Sequence, residues 1–249
     1  MNNFRKLAFT AALLGGASIA ATAAARPMTP EDVAKIESVG AIAVSPDGSR
    51  IAYTTVSLPD VTEGEEDGRS EQELKVSFGP DNARMFLPEG VSPSGVQFSP
   101  DGRMISFTWR DGKEKRAVWG IPVDGGSYRK LAAVDGANVR SYAWSPDGGT
   151  IYMLAGAAED LQREDQLDGG FDSVVYEEEY HLNRMFSARF MPSLAGEAPG
   201  IDEDAAEIPV PGYVSSFDIA SDGRTAIVET APTPNVDDSY TSKRVNILD

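Results

Sequence analysis

The sequence has no cysteine and a single histidine, His181. Without thiols there is no disulfide framework, and one imidazole is too few ligands for a zinc site. Basic residues are scarce too: 22 Lys and Arg stand against 39 Asp and Glu, for a formal net charge of −17. A chain of that sign lacks the basic footprint that nucleic acid requires, and it is repelled by anionic lipid. No Gly-x-Ser-x-Gly nucleophile elbow occurs, nor any Asp-x-Asp-x-Asp-Gly calcium loop. His181 has no nucleophile motif to serve, so a surface position is expected. No catalytic residue, metal or cofactor is therefore expected in this chain.

Long apolar runs are missing except near the start. Leu7 to Ala21 is rich in Ala and Leu but too short and Gly/Ala-rich to span a membrane. Arg5 and Lys6 precede it, and Ala23-Ala24-Ala25 supplies small residues for cleavage after Ala25. Residues 1–25 thus read as a signal peptide, with the remainder exported to the periplasm or beyond.

What is present is a repeat. Ser-Pro-Asp-Gly occurs at 45–48, 99–102 and 145–148, with a degenerate Ala-Ser-Asp-Gly at 220–223. In a type I turn Ser suits the first position, Pro pre-sets the second and Gly suits the fourth. Five and three residues before the turn Asp stand Ile42/Val44, Val96/Phe98, Tyr142/Trp144 and Phe217/Ile219. Four and six after it stand Ile51/Tyr53, Ile105/Phe107, Ile151/Met153 and Ala226/Val228. Alternation on both sides of a tight turn predicts a hairpin with one buried face in all four copies. The turn Asp is expected to cap its own backbone.

In the second copy the strands are expected at 96–99, 104–109, 117–123 and 128–134, the last pair joined by Asp124-Gly125-Gly126. Four antiparallel strands per repeat, with turn Asp residues 54, 46 and 75 positions apart, predict an all-β chain. Its fold class is a partial β-propeller of four-stranded blades carrying Ser-Pro-Asp-Gly turns. The excess spacing predicts acidic loops at 59–73 and 197–207, with a strand over Met185–Leu194 between the third and fourth turns. Thr29-Pro30-Glu31-Asp32 predicts an N-capped helix running to about Ser38, inside a lead-in of residues 26–40. Residues 41–249 would then form about four blades of an incomplete propeller. Arg244–Asp249 reads as an interior blade strand, which leaves the fourth blade short of its last one. Trp109, Trp119 and Trp144 fall within strand patterns and are expected in the core.

Three Ser-Pro-Asp-Gly blades behind a signal peptide and a Met-Thr-Pro-Glu-Asp lead-in resemble the N-terminal propeller of prolyl-oligopeptidase-family serine peptidases. The likeness is strongest to secreted acylaminoacyl-peptidase-like members. The resemblance implies a substrate-gating propeller that admits short peptides to a C-terminal α/β-hydrolase domain, which residues 1–249 do not contain. This chain alone is then expected to be inactive. TolB-like periplasmic propellers use the same turn, and they leave a non-enzymatic binding role as the alternative. Tyr176-Glu177-Glu178-Glu179 also resembles an element of the dipeptidyl-peptidase branch. That likeness implies that Glu178 and Glu179 hold a substrate's free ammonium, because paired carboxylates accept several charge-assisted hydrogen bonds. The competing reading of these residues is a solvated acidic run.

Overall fold

The computed structural model describes residues 26–61, 63–64, 66, 68–156, 169–171, 173, 180–190 and 205–249. These form four antiparallel sheets, each a meander in chain order. Blade 1 comprises β1 (Ser38–Val44), β2 (Ile51–Ser57), β3 (Glu71–Ser77) and β4 (Ala83–Met85). Blade 2 comprises β5 (Ser94–Phe98), β6 (Met104–Trp109), β7 (Ala117–Pro122) and β8 (Arg129–Ala132). Blade 3 has β9 (Val139–Trp144), β10 (Thr150–Gly156), β11 (Asn183–Arg189) and β12 (Ala206–Ile208). Blade 4 has β13 (Tyr213–Ile219), β14 (Ala226–Ala231) and β15 (Arg244–Leu248). The architecture is the expected partial β-propeller.

The Asp turns are built alike. In blade 2 the buried Ser99 hydroxyl accepts from Met104 N–H at 3.0 Å and donates to Asp101 at 2.6 Å. Asp101 in turn accepts from Arg103 N–H at 3.0 Å. Blade 4 has Ala220 where the others have Ser, and Thr225 compensates by donating its own hydroxyl to Asp222 at 2.9 Å. The turn glycines Gly48, Gly102, Gly148 and Gly223 all have φ between +67° and +72°, a region that favours glycine. Successive turns also nest. A Cβ at Gly102 would meet Pro46 at 3.4 Å, one at Gly148 would meet Pro100 at 3.7 Å, and one at Gly223 would meet Pro146 at 3.5 Å.

Each blade packs against its neighbours through apolar layers. Leu74, Val76, Ile105, Phe107, Trp119 and Ile121 fill the space between blades 1 and 2. Val118, Leu131, Tyr142, Trp144, Ile151 and Met153 fill that between blades 2 and 3. Leu154, Met185, Val214 and Val228 join blades 3 and 4. Trp119 and Trp144 are buried and Trp109 is half-buried, edge-on to Trp119 with ring centroids 5.1 Å apart. Between blades 2 and 3, Trp144 Nε1 donates to Ser106 Oγ at 2.8 Å, and Tyr142 OH lies 2.9 Å from that same oxygen.

The expectation of one buried face per hairpin needs correction. A blade held between two others buries both faces, as Ile105 and Ser106 do on opposite sides of β6. In blade 1 it is the other face, with Ala52, Leu74 and Val76, that is buried, while Ile42, Val44 and Ile51 are exposed.

Several boundaries also shift. Helix α1 covers only Pro30–Ala34, with the Thr29–Asp32 capping box in place. It buries no residue, so nothing prolongs it, and the chain is already extended at Ser38. Glu71–Glu73 belong to β3 rather than to a loop, because pairing of Glu71 with Ser57 sets the strand and leaves the two acids facing out. β11 begins two residues earlier than expected and ends at Arg189, while Ala206–Ile208 pair with β11 as an edge strand. A second helix, α2 (Val236–Thr241), sits in the β14–β15 connection.

One irregularity recurs in every blade. The first strand carries one extra residue against the second, giving a β-bulge near Gly40, Val96, Arg140 and Ser215. At Gly40 the bulge is closed by Thr54, whose hydroxyl accepts from Ala41 N–H at 2.9 Å.

Candidate functional site

Because the turn prolines and glycines of adjacent blades touch, all the Asp turns lie side by side on one face of the array. Strand polarity then sends the second-to-third-strand loops of every blade to the opposite face. That loop face also receives α1 and the connectors between blades. Tight hairpins leave little room for variation at the turn face, whereas loops on a rigid frame are where binding residues collect.

On the loop face, beside α1, lies a hollow of about 500 Å³. It is lined by Lys35 and Glu37 after the helix, Asp60 and Glu66 from the β2–β3 loop, Glu71 at the start of β3, and Glu89 from the β4–β5 connector. Lys35 bridges Glu63 and Asp60, the latter at 3.6 Å, which ties the helix end to the loop and holds the ammonium above its usual pKa. At the other end of the helix, the Arg26 guanidinium and the Thr29 N–H hold the Asp32 carboxyl at about 2. The Lys35 clasp ties α1 to the β2–β3 loop of blade 1, while the Arg26 pair braces the helix from the residues before it. The remaining carboxylates, Glu37, Glu66, Glu71 and Glu89, give the hollow a negative character suited to an ammonium or another cationic group. Sequence reading marked the 59–73 stretch as acidic but could not place Glu37 and Glu89 beside it, since only the fold brings them together.

Glu178 and Glu179 lie outside the described residues. Tyr180 and His181, which follow them, are exposed, and His181 sits on the surface as expected. Asn183 at the start of β11 is buried, and its Nδ2 donates to Tyr213 OH at 3.2 Å. β10 ends at Gly156 and β11 begins at Asn183, both on the loop face. On the turn face, by contrast, the carboxylates of the four Asp turns are engaged within their own turns. Asp47 is held at about 2 by the Ser45 hydroxyl and Ser49, and Asp147 and Asp222 are lowered for similar reasons. Among the described residues no group of three or more His, Cys, Asp or Glu is arranged to hold a metal ion, and no helix is long and apolar enough to cross a membrane.

No protein-family model matches the sequence, and no curated protein matches it. Solved structures do match in fold. An acylaminoacyl peptidase of Pyrococcus horikoshii aligns over 88% of this chain and 32% of its own, with a TM-score of 0.54 and 14% identity. TolB from Acinetobacter baumannii aligns over 86% of this chain and 41% of its own, with a TM-score of 0.51 and 13% identity. The tricorn protease aligns over 85% of this chain and 21% of its own, with a TM-score of 0.50 and 11% identity. The chain thus spans well under half the length of each, and the likeness is one of fold.

Proposed function

We propose that this chain is the substrate-gating propeller of an exported serine peptidase that hydrolyses short peptides. Hydrolysis would be carried out by an α/β-hydrolase domain outside residues 1–249. The observation that carries the reading is the carboxylate-lined hollow beside α1 on the loop face. A peptide with a free N-terminus brings an ammonium that such carboxylates can hold, and residues 1–25 would direct the chain to export. Fold likeness to a peptidase propeller supports the reading. Comparable likeness to TolB supports the second one, a non-enzymatic propeller that docks partners in the periplasm.

Calorimetry with a tripeptide, free and N-acetylated, separates the two. The peptidase reading expects binding of the free form only, lost in Glu178→Gln/Glu179→Gln, and no turnover of aminoacyl or dipeptidyl p-nitroanilides by the chain alone. Equal binding of both peptides, no binding of either, or turnover by the purified chain would overturn it.

A further inference from the structure

In a chain of net charge −17, the β6–β7 loop of blade 2 is basic. Residues 110–116 carry Arg110, Lys113, Lys115 and Arg116 against Asp111 and Glu114, and Glu114 is taken by Lys130 at 2.6 Å. Elsewhere Arg26, Lys35, Arg50 and Lys243 each meet a carboxylate. Among the described residues Arg110 and Arg116 meet none, and their side-chain bonds go to neutral oxygens. Arg110 Nη2 donates to Asn138 Oδ1 at 3.1 Å, and the same oxygen accepts from the Arg116 main-chain N–H at 2.8 Å. Arg116 Nη1 donates to Ser94 Oγ at 3.1 Å. Asn138 on the β8–β9 connector and Ser94 at the start of β5 thus position two guanidinium groups on the loop face, with most of their N–H donors unspent. Paired guanidinium forks suit a carboxylate.

The β4–β5 connector joins this pair to the acidic hollow. Glu89 of that connector lines the hollow, and Ser92 Oγ accepts from the N–H of Gln72, next to Glu71, at 3.0 Å. The connector ends at Ser94, where Arg116 binds. Ser92 and Ser94 are at most about 7 Å apart along the chain, and an extended tripeptide spans about 10 Å. A negative and a positive pole therefore border one another within reach of a short peptide.

We propose that Arg110 and Arg116 form a carboxylate site, and that it takes the C-terminal carboxylate of a short peptide whose ammonium lies in the hollow. That the carboxylate is a peptide's rests on the peptidase reading, whereas the arginine pair stands on its own geometry. A peptide free at both ends and short enough to keep them together satisfies both poles. The loop face then selects by length as well as by end group.

The test is calorimetry with trialanine, its C-terminal amide and N-acetyltrialanine. On the wild type the acid should bind about tenfold tighter than the amide, which cannot form the charge-assisted bonds. Arg110→Gln/Arg116→Gln should bind acid and amide alike. Lys113→Gln, which removes a charge from an exposed position of the same loop, should keep the preference. Urea unfolding checks that both variants fold, and the wild-type comparison holds without them. Equal affinity of acid and amide for the wild type, binding of neither, a preference that survives in the double variant, or one that Lys113→Gln abolishes would overturn the proposal. N-acetyltrialanine keeps the two sites apart. If it binds as tightly as trialanine, the ammonium role of the hollow fails, while a preference for acid over amide still upholds the arginine pair.

Discussion

The pyrrolidine ring of Pro46 lies over the α-carbon of Gly102, close enough that a Cβ there would stand 3.4 Å from Pro46 Cδ. A residue in one blade thereby sets what the next blade can tolerate at its turn. The contact recurs from Pro100 to Gly148 and from Pro146 to Gly223, while Gly48 has open space above it.

Gly48→Val and Gly102→Val should therefore differ. Both force a branched side chain to positive φ, at a cost of about 1–3 kcal/mol. Only Gly102→Val also drives a side chain into the neighbouring proline, so it should lower the urea midpoint further. Pro46→Ala should recover part of that difference and leave Gly48→Val unchanged.

Ser99→Ala should cost about 1–3 kcal/mol, because it leaves the buried Met104 N–H and the Asp101 carboxylate without their shared hydroxyl. Thr225→Val removes a hydroxyl from an exposed bond and should cost less. Equal losses in chemical denaturation would contradict this account of the turn.

The depressed Asp47 carboxyl makes a signed prediction. Its folded pKa of about 2 lies below the ordinary value near 4, so its contribution is complete above about pH 4 and is lost as pH falls toward 2. Asp47→Asn should be less stable than the wild type at pH 6, with the gap closing between about pH 4 and pH 2. Urea midpoints at the two extremes measure it.

Tyr142 works in the opposite direction. Burial pushes its phenol up, and Ser106 offsets this only in part. A raised folded pKa gives stability that is complete below the ordinary value near 10 and lost as pH rises above it. Tyr142→Phe should therefore lose less stability on going to alkaline pH, read by tyrosinate absorbance together with unfolding.

Gly120→Ala tests the packing within blade 2, on the face it turns to blade 3. The new methyl would stand 2.6 Å from Leu131 Cδ1 and 3.2 Å from Met104 Sδ. Overpacking of this kind costs about 1–3 kcal/mol, visible in thermal melts.

Much of the fold was legible because the repeat advertises itself. Apolar residues two apart on either side of Ser-Pro-Asp-Gly located β6 to the residue and β5 to within two, and marked the β9–β10 hairpin, while the Asp124-Gly125-Gly126 turn located β7 and β8. Positions whose structure depends on a partner strand were harder. Glu71 and Glu73 look like loop residues until β2 pairs with them, and the polar segment of α2 has no apolar stripe to mark it. The bulge near Gly40 was invisible, since it follows from register rather than composition. The same holds for the site. Glu178 and Glu179 stood out as neighbours in sequence, whereas Glu37, Glu71 and Glu89 became neighbours only through folding.

The nested prolines and glycines also give the array a grammar. Each blade speaks through its proline to the one that follows and listens through its glycine to the one before, so blades 1, 2 and 3 are interchangeable words at the turn face. Blade 4 is not, because Ser221 stands where the ring should be. A gene in which blade 2 is duplicated should yield a chain that reads through smoothly. One in which blade 4 is moved inward would leave a missing ring above the next glycine, and order among repeats that look alike would thus be written in a single side chain.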